Sequence, residues 1–292
     1  MNEIEYPTRA YAGKTAVLTT MHGKDAAVAQ PFRERLDMNV EVAEGIDTDR
    51  FGTFTGDVAR PGNMLETARV KASAGLDATG AAVGIASEGA YGPDADMPYF
   101  ASGTELILLV DRERDIEVAE LLRTPRTNYA SVKLAPGQID RGFLERVAFP
   151  EHALVAQPNK ALNGHAPAPS KGIRDKAELA SAIEVMAVAS EDGLALVQTD
   201  MRAHMNPTRM QAIADVAGRL ASRLQRRCPE CHTPGVGFIR ALPGLPCSYC
   251  LAPTRLAIGE LHGCVKCDYT HEMDRSDGLK LADPGNCDVC NP

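Results

Sequence analysis

The sequence has no tryptophan, only 5% aromatic residues and no cysteine before residue 228, and its longest purely aliphatic run is Leu106–Val110. A run that short cannot cross a bilayer, which takes roughly 20 apolar residues. Positive charge is also scarce. Against 39 Asp+Glu stand 31 Lys+Arg, a formal net charge of −8 and a pI of about 5.4. That sign opposes a phosphate backbone and disfavours nucleic acid as the main partner. Met1-Asn2-Glu3 begins no secretory leader pattern, so the expected location is the cytoplasm, away from membranes. The 44% hydrophobic and 24% charged content excludes a disordered or collagen-like chain. A length of 292 residues suits two unequal domains.

What the first 227 residues lack, the last 65 concentrate. All eight cysteines form Cys-x-x-Cys pairs, Cys228/Cys231, Cys247/Cys250, Cys264/Cys267 and Cys287/Cys290. Each such turn aims two sulfurs at one centre, and two turns complete a tetrahedral thiolate shell, so the expectation is two structural zinc ions. The spacers are 15 residues between the first two turns and 19 between the last two. Both fit a zinc ribbon with turns paired in sequence order, the favoured arrangement; pairing first with third and second with fourth is the alternative. His232 and His271 are read as non-ligands, since eight thiolates already fill two sites.

Residues 228–292 hold five basic and eight acidic side chains, a net of −3, and two Zn²⁺–Cys₄ centres take this to −7. A surface of that sign points to a structural role or a protein partner rather than to RNA. Arg219, Arg223, Arg226 and Arg227 just before it are the one basic stretch that favours RNA.

The first 227 residues alternate strand-like and helical stretches, as an α/β domain does. Expected strands are Thr15–Thr20, Met38–Ala43, Ala81–Ser87, Glu105–Asp111, Ala153–Gln157 and Leu194–Thr199. Expected helices are Met64–Ala78, Lys176–Ser190 and Pro207–Arg226, the last with Met210, Ile213, Ala217, Leu220 and Leu224 at three- and four-residue steps. Asn163–Pro169, rich in Pro and small residues, reads as a linker between two halves. The boundaries are thus 1–227 for the α/β domain and 228–292 for the ribbon.

Three polar groupings sit where open sheets bind ligands. His22, Gly23 and Lys24 follow the first strand, a turn suited to phosphate. Glu66 and Glu88 are expected to converge on a catalytic Mg²⁺, with Lys71 beside them. If the last strand stays extended, Asp200, Arg202 and His204 share a face, and Asn206 caps the helix opened by Pro207, placing Arg202, His204 and Arg209 at an anion-binding helix start. The alternative for that segment is a local Asp200–Arg202 salt bridge.

The order Thr20–Lys24, Glu66-Thr67-Ala68-Arg69-Val70-Lys71-Ala72, Ser87-Glu88-Gly89 resembles the house-cleaning ITP/XTP pyrophosphatases. That resemblance implies a mixed-sheet domain that hydrolyses non-standard nucleoside triphosphates to monophosphate and pyrophosphate. Lys24 and Lys71 would hold phosphates, Glu66 and Glu88 would serve Mg²⁺, and His204 and Arg209 would meet the purine. Thr67 and Met21 stand where that family has Asn, and Ser87-Glu88 replaces paired aspartates. The whole chain also resembles an uncharacterised bacterial family, which implies no activity. The expected function is Mg²⁺-dependent nucleotide pyrophosphohydrolysis. The alternative is a non-catalytic nucleotide sensor or protein-binding module, which the lost Asn residues favour.

Overall fold

The computed structural model describes residues 9–52, 61–94, 96–162 and 166–292. The first lobe contains β1 (Thr15–Thr19), α1 (Asp25–Leu36), β2 (Asn39–Val42), α2 (Met64–Thr79), β3 (Val83–Pro93), β4 (Ala101–Asp111) and β5 (Ile116–Thr124). Its strands pair in the order β2-β1-β3-β4-β5, with β1 parallel to β2 and β3 and the other neighbours antiparallel, so the sheet is mixed. The two-residue side-chain period divides the strands between two layers. Ala16, Leu18, Ile85, Ile107 and Leu109 pack with one cluster, whereas Val17, Ala86, Leu106 and Leu108 pack against α2 on the opposite face.

The second lobe contains β6 (Ser131–Leu134), α3 (Arg141–Arg146), β7 (Leu154–Pro158), β8 (Ser170–Ile173), α4 (Lys176–Val188) and β9 (Ala195–Thr199). Its sheet runs β6-β9-β7-β8, with β7 antiparallel to both neighbours. Here the expected linker is corrected. Residues 163–165 lie outside the described residues, but 166–169 lead into β8, which pairs with β7, so this connection lies within one sheet. The chain changes sheets between β5 and β6 instead.

After β9 it returns to the first lobe as α5 (Pro207–Leu224). Asn206 caps it as expected, its side chain accepting from Arg209 N at 3.0 Å, and Pro207 occupies the first turn, where its missing N–H costs nothing. Ile213, Ala217, Leu220 and Leu224 form its buried stripe and join α1 and the sheet in the largest apolar cluster. At its start Arg209 is fully buried against fully buried Glu105 of β4, Nε to Oε1 2.6 Å. Arg209 Nη1 also donates to Met201 O, and Tyr91 OH donates to Glu105 Oε1 at 2.9 Å. Gly89 makes room for this pair: a Cβ there would lie 2.5 Å from Arg209 Nη2 and 2.6 Å from Glu105 Oε1.

Beyond α5 the ribbon sheet is β10 (Gly237–Pro243), β11 (Ala257–Gly263) and β12 (Thr270–Asp274), antiparallel in that order. It is seated on the first lobe, with Val265 packed against the main cluster and Lys266 Nζ donating to Arg114 O at 2.5 Å. No helix among the described residues is long and apolar enough to cross a membrane. Removing one member of a fully buried ion pair leaves a charge without its counterion, so Glu105→Ala is expected to cost about 3–5 kcal/mol. Urea unfolding at pH 7 measures this; a loss below about 1 kcal/mol would show that the pair does not anchor α5.

Candidate functional site and metal centres

The two lobes enclose a cavity of about 170 Å³. The first lobe contributes the carboxyl end of β1, the usual ligand position on such sheets, and the part of β3 just past its parallel pairing with β1, and the second contributes residues of β7, β8 and β9. Lys24 ends the loop after β1 and is buried, its Nζ 2.9 Å from Ser87 O and 3.4 Å from Ser87 Oγ. Burial draws this ammonium down to about 7; Arg209 pushes the same way, and Glu105 and Glu88 oppose it. Lys71 of α2 is also buried, with Nζ 2.5 Å from Glu88 Oε1. Lys171 of β8, which the sequence reading did not single out, lines the cavity from the second lobe; Tyr91 of β3 and Tyr129, just before β6, line it too. An exposed Lys on a short strand carries no local pattern that would have flagged it.

The late polar segment does not stay extended. β9 ends at Thr199, and Ala203–Met205 forms a 3₁₀ turn. Asp200 turns back onto Arg202, Oδ2 to Nη2 2.6 Å, and also accepts from Gly172 N at 3.1 Å. Both residues line the cavity as an ion pair. His204 stacks on His22 with ring centroids 5.2 Å apart; His22 lines the cavity while His204 stands behind it. Burial lowers the His204 pKa, helped by Arg202.

Glu66 is placed otherwise than expected. It is the third residue of α2 and forms a capping box with Asn63, its carboxylate accepting Asn63 N at 2.8 Å while Glu66 N donates to Asn63 Oδ1 at 3.0 Å. It does not line the cavity. Among the described residues the lining therefore has five Lys or Arg and two carboxylates, and each of these carboxylates is bonded to a cation: Glu88 to Lys71, Asp200 to Arg202. This donor set does not suit a protein-held Mg²⁺, which wants carboxylate oxygens in octahedral array. It suits an anion.

The cysteines form two sets, Cys228/Cys231/Cys264/Cys267 and Cys247/Cys250/Cys287/Cys290, the sulfurs of each within 4.8 Å of one another. The nearest cross-turn separations are 3.5, 3.6, 3.9 and 3.6 Å. Tetrahedral zinc with Zn–S of about 2.3 Å requires S···S near ~3.8 Å, whereas a disulfide requires about 2.05 Å. Two zinc ions fit. Pairing in sequence order is corrected to the crossed arrangement, and hairpin geometry is the reason. Gly237 pairs with Gly263, which brings the first turn beside the third; β10 then runs away to the second turn, and β12 runs back from the third toward the fourth. A parallel bridge between Cys247 and Ala282 closes the far end. His232 and His271 stand outside both sets.

Residues 71–292 match the family model of a domain of unknown function, DUF6671. The chain belongs to this family. Neither a curated protein nor a solved structure matches it. The DUF6671 match spans the first lobe from within α2 through β3, β4 and β5, the whole second lobe, α5 and both cysteine sets, and it begins at Lys71, after the Lys24 loop.

The crossed pairing has a direct consequence. A Cys228→Ser/Cys267→Ser variant is expected to lose one of two zinc ions per chain, whereas pairing in sequence order would cost both; metal analysis of purified protein reads the difference. Lys24 generates a second. Because an anion favours the charged ammonium, affinity for sulfate, whose charge is constant between about pH 6 and 9, is expected to be full below about 7 and to fall above it by up to about tenfold per pH unit. Lys24→Arg should flatten that profile in calorimetric titrations.

Proposed function

We propose that the interlobe cavity binds the phosphate groups of a nucleoside triphosphate, and that the protein acts as a nucleotide sensor. The observation that carries this reading is the buried Lys24 ammonium beside Lys71 at the carboxyl end of β1, inside a chain whose overall charge is −8. Concentrating cations in one concave place against the global sign favours a compact polyanion over an extended one. Lys24 and Lys71 would meet phosphate oxygens, with Lys171 and Arg202 approaching from the second lobe. His22 stacked on His204 and Tyr129 would flank the base or ribose. The likeness of the Lys24 and Lys71 segments to the ITP/XTP pyrophosphatases supports a purine ligand.

Hydrolysis to monophosphate and pyrophosphate is the second reading, and one observation favours it. An amine with a pKa near 7 gives the cavity a group that takes or releases a proton at neutral pH. Lysines neutralising a departing pyrophosphate would supply the electrostatic part of such a reaction. Against it stands the engagement of both carboxylates that line the cavity among the described residues, Glu88 with Lys71 and Asp200 with Arg202.

Calorimetry with ITP, XTP, ATP and GTP, followed by pyrophosphate assays with added Mg²⁺, separates the readings. Micromolar binding without release is the expected result. Pyrophosphate release that disappears in Glu88→Gln would establish the hydrolase instead, and absence of binding by every nucleotide would end both.

A further inference from the structure

The two zinc centres share a backbone but treat their apolar residues differently. At the first, Val265 beside Cys264 packs into the main core. At the second, Tyr249, Leu251 and Val289 each adjoin a ligand cysteine and are 83%, 68% and 69% exposed. Leu281 joins them, because Ser248 N donates to Ala282 O at 2.9 Å and Cys247 bridges Ala282. The sulfurs of Cys250 and Cys290 belong to one set, so these residues flank a single centre. Several large apolar side chains left in water around one place on a folded surface mark an interaction site.

Leu251 adds a second reason. It holds φ +61°, donating its N–H to Cys247 O at 3.0 Å, and the corresponding residue of the first centre is His232 at φ +59°, bonded in the same way to Cys228 O. This left-handed position is cheapest for Gly or Asn. A large apolar residue there, with its side chain in solvent, is costly for folding and needs another use.

Charge selects the occupant. Of the five ribbon cations, Lys266, Arg255, Arg275 and Lys280 are bonded within the chain, to Arg114 O, Asp288, Asp277 and Asp274 respectively. Eight acidic side chains and the thiolates of each centre leave the ribbon negative. We infer that the distal zinc centre is a protein-docking surface, where Tyr249, Leu251, Leu281 and Val289 receive the apolar side chains of a basic, amphipathic segment of a partner protein. This inference is independent of the cavity and stands or falls without it.

The test uses the full, zinc-loaded chain and a labelled Lys/Leu amphipathic peptide, read by fluorescence anisotropy, with a Glu/Leu peptide of the same length and an oligouridylate as comparisons. The Lys/Leu peptide is expected to bind, and Leu251→Gly to weaken binding by about tenfold or more. The same variant should keep two zinc ions per chain and unfold at an equal or higher temperature, because Gly relieves the left-handed position. A merely structural Leu251 would show the opposite stability change. The inference is overturned if Leu251→Gly binds as well as the native chain, if the Glu/Leu peptide or the oligouridylate binds in preference, or if sedimentation shows self-association that the variant abolishes.

Discussion

The fully buried contact between Arg209 and Glu105 is the point on which the rest of this structure turns. One charge enters with the first turn of α5 and the other lies mid-strand in β4, so the pair fixes the helix against the sheet beside the cavity, which Arg209 lines. It requires Gly89 opposite, since any Cβ there would collide with both partners. Burying two charges is expensive unless each finds its counterion and further hydrogen bonds. Met201 O and Tyr91 OH provide those bonds. The start of α5 and the exit from the second lobe are thereby held together.

From there α5 runs as one rigid element to the first zinc turn. Its amino end meets the cavity, its middle fills the core under the first sheet, and its carboxyl end delivers Cys228 four residues after Leu224. Arg223 near that end donates to Gly235 O at 2.9 Å and to Ala119 O at 3.0 Å, joining helix, ribbon and β5. The first zinc centre thus belongs to the first lobe as much as to the ribbon. The second lies a strand's length away and contributes nothing to that core, which explains why its apolar residues remain in water.

The cavity is shaped by a contest between global and local charge. A chain of net charge −8 repels anions at a distance, while a pocket walled by low-dielectric protein lets a few lysines dominate nearby. Burial makes the Lys24 charge expensive without a ligand, and a phosphate would relieve that cost. Glu88 and Asp200, bonded to Lys71 and Arg202, hold two of the cations in position.

Local pattern made much of this legible. The apolar steps along Pro207–Leu224, the Asn206-Pro207 helix start and the continuous apolar run Leu106–Val110 of β4 are short-range physics, set by neighbours within a few residues. Likewise, Cys-x-x-Cys turns declare thiolate chemistry and its count, because each turn is complete within four residues. Which turns share a metal is not local: it depends on how β10, β11 and β12 fold back, and spacing alone favoured the wrong partners. The same holds for Glu66, whose carboxylate was captured by the backbone three residues away in a capping box, and for Lys171, brought to the cavity only by the second sheet. Residue types and helical or strand periods determined the elements and the kinds of chemistry on offer. Only the tertiary structure decided which charges meet, because pairing depends on distances between segments far apart in the chain, and the low-dielectric interior rewards only those that arrive together.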